Sequence, residues 1–206
     1  MKNCKAVIFD LGGVLLNIDY LLTVIAFNEL GVENADLFYS KKIQNPIFDK
    51  IEVGAITPKE FLDALQKECK NASIDQVENA WNSMLLDLPE NRLDYIKKLK
   101  NNYQIFLLSN TNEIHITAFK NKIGTEKWKV FSSVFDKIYL SHEIGFRKPG
   151  EGAFQIILEE NKLNPNEVFF IDDSPQHIKA AKNLGLNCYY LKKGEDISTV
   201  FPDTIQ

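Results

Sequence analysis

The sequence is poor in the features that mark secreted, membrane-bound or nucleic-acid-binding chains. Cysteine occurs three times in 206 residues, at Cys4, Cys69 and Cys188. Scattered and odd in number, these residues make neither a disulfide framework nor a metal-ligand cluster, and they fit a reducing compartment. No apolar run reaches the roughly 18 residues needed for a membrane-spanning helix. The apolar part of MKNCKAVIFD is too short for a signal peptide, so a cytoplasmic protein is expected. An excess of basic residues is also missing: 24 Lys+Arg face 28 Asp+Glu, for a formal net charge of -4. That balance tells against nucleic acid and anionic membrane as partners. There is no internal repeat and no low-complexity segment.

What remains is the composition of an ordinary globule, 45% hydrophobic and 25% charged, enough for one domain or a domain with an insert. From residue 90 onward, helix and strand patterns alternate. Helices are expected over 90–100, 113–122, 152–161 and 175–184, and strands over 103–108, 137–140, 168–171 and 188–191. The strands are nearly continuous apolar runs (YQIFLL, KIYL, VFFI), as expected when both faces are covered. The fold class is therefore α/β, a doubly wound parallel sheet with helices on both faces.

Residues 16–87 break this alternation and read as helical. Asp19 is placed to cap a helix over 20–30, with Gly31 just past its end. Thr57-Pro58-Lys59-Glu60 and Ser73-Ile74-Asp75-Gln76 are capping boxes, and Phe61, Leu62, Leu65 and Cys69 follow at helical spacing. The expected organisation is an α/β core of residues 1–15 and 88–206 and a helical cap of residues 16–87. The crossings lie near Leu16-Asn17 and Asp87-Leu88-Pro89.

The polar residues fall at the strand ends. The first apolar run, Ala6-Val7-Ile8-Phe9, stops at Asp10 and is followed by Gly12 and Gly13. Ser109-Asn110-Thr111 ends the second strand, Arg147-Lys148-Pro149 lies after the third, and Asp172-Asp173-Ser174 ends the fourth. In open parallel sheets, ligands bind outside the carboxyl ends of the strands. Three carboxylates, a hydroxyl and an ammonium therefore converge on one crevice. Clustered carboxylates repel one another, and a divalent cation with oxygen ligands, Mg²⁺, removes that repulsion. Lys148 and Ser109 suit phosphate oxygens, and the glycines let backbone N–H groups approach the same oxygens. Asp10 is placed to attack phosphorus.

FDLGGVL, LLSNT, RKP and FIDDS, in this order, resemble the four motifs of the haloacid dehalogenase superfamily, and the resemblance spans the whole chain. Its likeness is to the helical-cap members, most of all the α-glucose-1-phosphatase-type sugar-phosphate phosphatases. The resemblance implies a Mg²⁺-dependent phosphatase acting through an aspartyl-phosphate on a small phosphorylated metabolite. Asp10 would be the nucleophile, with Ser109 and Lys148 acting beside it. Asp10, Gly12, Gly13, Ser109, Asn110 and Lys148 would bind the substrate. Asp10, the Gly12 carbonyl and Asp173 would hold the metal, with Asp172 a ligand or its neighbour.

Gly12 departs from the pattern, because family phosphatases carry an aspartate there as general acid and base, a role worth about 10²–10⁴-fold. Three accounts stay open: a substrate whose leaving group needs little protonation, a substitute such as Asp19, or slow turnover in a protein that chiefly binds phosphorylated ligands. A 2-haloacid dehalogenase is a further alternative, opposed by the acidic pair, since such enzymes need no metal. The plain structural readings are a tight turn at Gly12-Gly13, helix caps at Ser109-Asn110 and Ser174, a solvated Lys148 paired with Glu151, and His115 and His142 as surface or loop residues. Trp81 and Trp128 read as packing.

Overall fold

The computed structural model describes residues 3–35, 39–40, 43–44 and 46–200. Strand β1 (Ala6–Phe9) leads into α1 (Tyr20–Glu29), a short hairpin of β2 (Tyr39–Ser40) and β3 (Ile43–Gln44), and helices α2 (Pro46–Glu52), α3 (Pro58–Glu68) and α4 (Ile74–Asn82). Then α5 (Glu90–Leu99), β4 (Gln104–Ser109), α6 (Glu113–Ile123), α7 (Thr125–Val134), β5 (Lys137–Leu140), α8 (Ser141–Ile144) and α9 (Gly152–Glu160) follow. The described chain closes with β6 (Val168–Asp172), α10 (Pro175–Asn183) and β7 (Asn187–Tyr190), with one-turn 3₁₀ helices at Pro165–Glu167 and Ile197–Thr199.

Five strands form a parallel sheet in the order β5-β4-β1-β6-β7. The α/β, doubly wound class expected from the alternation is the observed one. All four residues of β1 are buried, and they alternate between layers. Val7 and Phe9 join a cluster with Leu93, Ile96, Phe119 and Phe131 from α5, α6 and α7. Ala6 and Ile8 join the opposite one with Phe154, Ile157 and Ile178 from α9 and α10. Successive strand side chains point to opposite faces, so a strand covered on both sides must be apolar throughout.

A third cluster belongs to α1–α4: Phe27, Phe48, Ile51, Phe61, Leu65, Val77 and Trp81 pack together, joined by Ile114 from α6. Both capping boxes form, with Thr57 accepting from Glu60 N and Ser73 from Gln76 N. Asp19 caps α1, its side chain accepting from Leu21 N at 3.0 Å. The two segments linking these helices to the sheet run side by side: Asn17 N donates to Asp87 O at 2.9 Å, Leu86 N to Asn17 O at 3.0 Å, and Asp19 N to Met84 O at 2.9 Å.

The structure adds elements that periodicity does not give. Residues 125–134 form α7, which begins at Gly124 without a side-chain cap. Helix α2 and the two-residue strands β2 and β3 lie in a region expected to hold helices begun by caps. Among the described residues no helix is long and apolar enough to cross a membrane, and all three cysteines are free.

Candidate active site

The carboxyl ends of β1, β4 and β6 and the loop before α9 meet at one cleft of about 480 Å³. Asp10 is held by its own backbone, Asp10 N donating to Ile171 O of the neighbouring strand at 3.0 Å, and Leu11 N donates to Asp10 Oδ1 at 2.7 Å. Lys148 is wholly buried, its Nζ 2.8 Å from Asp10 Oδ1 and 2.7 Å from Asp172 Oδ2. The solvated Lys148–Glu151 reading is therefore replaced by a desolvated ammonium between two carboxylates. An ammonium removed from water needs such partners, because isolated burial costs several kcal/mol (about that per ion).

Asp172 is also fully buried and saturated. Besides Lys148, it accepts from Ser174 N at 2.7 Å, and His177 Nδ1 stands 3.0 Å from both of its oxygens. His177 sits in the first turn of α10, which starts directly behind the strand end. Sequence reasoning passed over it; the usable signal is a histidine one helical turn past Ser174, where a helix start faces back toward the strand.

The electrostatics follow from this layout. Burial pushes the Asp10 carboxyl up to about 7 against the pull of Lys148, with Asp172 and Asp173 adding to the rise. Burial would raise Asp172 as well, but Lys148 and His177 outweigh it and hold that carboxyl down at about 2. Burial works against the Lys148 ammonium, yet the two carboxylates prevail and raise its pKa.

Ser109 ends β4, buried and on the cleft wall. Asn110 also lines the cleft, but its amide is occupied: Nδ2 donates to Lys148 O at 2.7 Å, and Oδ1 accepts from Lys148 N at 2.9 Å. It fixes the loop that delivers the lysine. The helix cap expected at Ser109-Asn110 is made instead by Asn112, whose Oδ1 accepts from His115 N at 3.0 Å, and Ser174 makes no side-chain cap. Thr111 and Ser141 staple the loops after β4 and β5, the Ser141 hydroxyl accepting from Thr111 N and donating to Thr111 O, both at 2.9 Å.

The two glycines differ. Gly13 has φ +81°, and a Cβ built there would collide with the Asp173 carboxylate. Gly12 is outside the left-handed region, and a Cβ would meet the tip of Ile18, Cδ1 at 2.9 Å. Asp173 therefore lies against the turn that follows Asp10, in a cradle that any side chain at position 13 would fill. Asp10, Gly12 and Asp173 all line the cleft, and two carboxylates with a backbone carbonyl are oxygen donors of the kind that suits Mg²⁺. Asp10, Asp172 and His177 also bring one donor atom each within 4.8 Å of one another. That group already encloses the Lys148 ammonium, so its charge is met. Asp19 does not line the cleft; its carboxylate is spent on the α1 cap.

The far wall comes from α2, α4 and the linking segments. Trp81 stacks on Phe48 (centroids 5.4 Å apart) and on His115 (4.7 Å). His115 is a correction to the sequence reading: it is buried on α6, its Nδ1 is 2.9 Å from Asn82 Oδ1, and burial lowers its pKa to about 3. It is thus a neutral member of a stack joining α2, α4 and α6. Trp81 packs as expected and also faces the cleft. Arg147, next to Lys148 in sequence, turns the other way. Its guanidinium meets Asp49, and its Nε is 3.1 Å from Glu52 Oε2, both on α2. Burial pushes the Glu52 carboxyl up to about 7, against the pull of the Lys148 charge.

Comparison with known proteins places this arrangement. The model of the haloacid dehalogenase-like hydrolases matches residues 4–185. A D-ribitol-5-phosphate phosphatase of Bacteroides thetaiotaomicron is 31% identical over 193 residues, spanning 93% of this chain and 94% of that protein. A HAD family enzyme from the same organism, solved with magnesium and inorganic phosphate, is 38% identical with a TM-score of 0.85, covering 96% of this chain and 99% of its own. A HAD-like family hydrolase from Porphyromonas gingivalis is 29% identical with a TM-score of 0.84, covering 97% of each chain. The chain belongs to the haloacid dehalogenase-like hydrolases, as a phosphatase of that family.

Proposed function

We propose that the protein hydrolyses a small sugar or polyol phosphate with Mg²⁺ as cofactor. The observation that carries this reading is Lys148, buried and shared between Asp10 at 2.8 Å and Asp172 at 2.7 Å, directly behind the Asp10 that lines the cleft. Lys148 and Ser109 hydrogen-bond the phosphoryl oxygens, helped by backbone N–H groups of the Gly12-Gly13 turn. Asp10 attacks phosphorus, a phosphorus–oxygen bond to the substrate breaks, and water hydrolyses the resulting aspartyl-phosphate. Asp10, the Gly12 carbonyl and Asp173 would hold the metal. When bound, it would offset the charge that the phosphate brings among the carboxylates. Asp172, saturated by Lys148, His177 and Ser174, orients the lysine. Residues 1–15 and 88–206 form the core in this reading, and residues 16–87 the cap that supplies the opposite wall.

The substrate class is supported by the ribitol-phosphate phosphatase likeness. One observation favours a second reading, a phosphometabolite-binding protein with slow turnover. Gly12 offers no proton to the leaving oxygen, and Asp19 is a helix cap. The experiment is phosphate release from p-nitrophenyl phosphate and a panel of sugar and polyol phosphates, ribitol 5-phosphate included, with Mg²⁺ and with EDTA. Mg²⁺-dependent turnover of at least one sugar or polyol phosphate is expected. Binding without turnover across the panel would favour the second reading, and turnover indifferent to EDTA would remove the metal from the account.

A further inference from the structure

We infer that Glu52 and Arg147 are the specificity-determining pair at the cap end of the cleft. They read the hydroxyl groups of a neutral, polyhydroxylated phosphomonoester and reject substrates that carry a second anionic group there. The inference rests on the phosphatase reading above and adds the substrate's chemistry at its far end.

Placement is the first support. Two consecutive cationic residues diverge, Lys148 into the buried pair of Asp10 and Asp172, and Arg147 outward onto α2. Glu52, the last residue of α2, and Arg147 both line the cleft, beside the apolar surface of Phe48, Trp81, Met84 and Leu85. Apolar surface of this kind packs the C–H faces of a carbon chain, and the chain's hydroxyls need polar partners beside it. Glu52 and Arg147 close on each other through Oε2 and Nε, both buried and 3.1 Å apart, and as residues of the cleft lining they set a carboxyl acceptor beside guanidinium donors.

Charge is the second support. Each cation at this cleft is matched by two carboxylates, Lys148 by Asp10 and Asp172, Arg147 by Asp49 and Glu52. The phosphoryl end has the proposed Mg²⁺ to accept an anion, whereas the cap end sets two carboxyl groups against one guanidinium. A second phosphate or a carboxylate placed there would face Glu52, with the nearest guanidinium already paired to Glu52 and Asp49. Half-buried ion pairs contribute little to stability, because desolvation offsets their attraction. Hydrogen-bonding a polar substrate accounts for their place in a ligand cleft, because a site built to bond hydroxyls discriminates strongly.

The test compares kcat/KM for ribitol 5-phosphate, fructose 1,6-bisphosphate and p-nitrophenyl phosphate in wild type, Glu52→Gln and Arg147→Met, with circular dichroism melts for each. Wild type is expected to prefer the neutral polyol ester to the bisphosphate by about tenfold or more. In both variants kcat/KM for ribitol 5-phosphate should fall about tenfold relative to p-nitrophenyl phosphate, mainly through KM. Glu52→Gln should also narrow the discrimination against the bisphosphate. Altered melting with unmoved substrate ratios would reduce the pair to a structural clasp and overturn the inference alone. A wild type that turns over p-nitrophenyl phosphate but no sugar or polyol phosphate would overturn the substrate reading, and this inference with it.

Discussion

The two walls of the cleft are built on different rules. On the sheet side, the two innermost charged groups are fixed several times over: Asp172 by a lysine, a histidine and a backbone N–H, and Lys148 by two carboxylates, with Asn110 gripping its backbone. On the helical side, the wall is an aromatic stack, Phe48, Trp81 and His115, with one ion cluster at its edge. Over-determination suits groups that must meet a reacting phosphorus within fractions of an ångström. Apolar packing with one polar pair suits recognition, since its side chains can be exchanged without disturbing the reacting groups. In the proposed reading, reaction chemistry belongs to the core and choice of substrate to the cap.

The strongest way to break that assignment is at the lysine. Lys148→Met should cost about 3–5 kcal/mol of stability, because it leaves two buried carboxylates unmatched. The loss should be largest above neutral pH and shrink as pH falls, since the carboxyls then neutralise by taking up protons. Denaturant unfolding at several pH values measures this, and a loss under 1 kcal/mol (about the median for exposed pairs) would mean that the pair is effectively solvated.

His115 tests the other wall. Its pKa is about 3 in the folded protein against an ordinary 6.5, so the unfolded chain binds more protons between those values. Stability from this group is therefore present above pH 6.5 and lost as pH falls toward 3. At about 1.4 kcal/mol per unit, wild type should lose roughly 2–3 kcal/mol more than His115→Gln between pH 6.5 and 4.5. Parallel pH profiles would place His115 in water rather than in the stack.

The glycines sharpen the contrast on a smaller scale. Gly13→Ala meets a positive φ and the Asp173 carboxylate, so it should cost about 1–2 kcal/mol and raise the Mg²⁺ concentration needed for half-maximal activity. Gly12→Ala need only move the tip of Ile18 and should stay within about 0.5 kcal/mol. Equal effects on melting and on Mg²⁺ dependence would contradict the distinction between the two positions.

The sheet side was legible in the sequence because the relevant signals are local. An apolar run covered on both faces ends abruptly in a polar residue, and four such ends converge once the strands are parallel. Strand limits shifted by a single residue, as at β4 and β7. The cap side was less legible. Capping boxes and the Asp19 cap announced α1, α3 and α4 but not α2 or the β2–β3 hairpin; on the core side α7 was missed as well, since it starts without a side-chain cap and its closing Phe-Ser-Ser-Val carries no strong periodicity. The contacts of His177 with Asp172, of Arg147 with α2, and of His115 with Trp81 and Asn82 are made through space, and no spacing along the chain encodes them. His115 illustrates the cost: a histidine on an amphipathic helix reads as exposed until a tryptophan from another element covers it.

The central claim, that Asp10 forms a covalent bond to phosphorus, can be tested directly by trapping. Enzyme turning over p-nitrophenyl phosphate with Mg²⁺ is quenched and treated with borohydride, which reduces an acyl phosphate to an alcohol, and its peptides are analysed by mass spectrometry. The account predicts homoserine at position 10, dependent on both substrate and Mg²⁺, and a loss of roughly 10⁴-fold or more in kcat for Asp10→Asn. Reduction at another carboxylate, or near-normal turnover by Asp10→Asn, would contradict it.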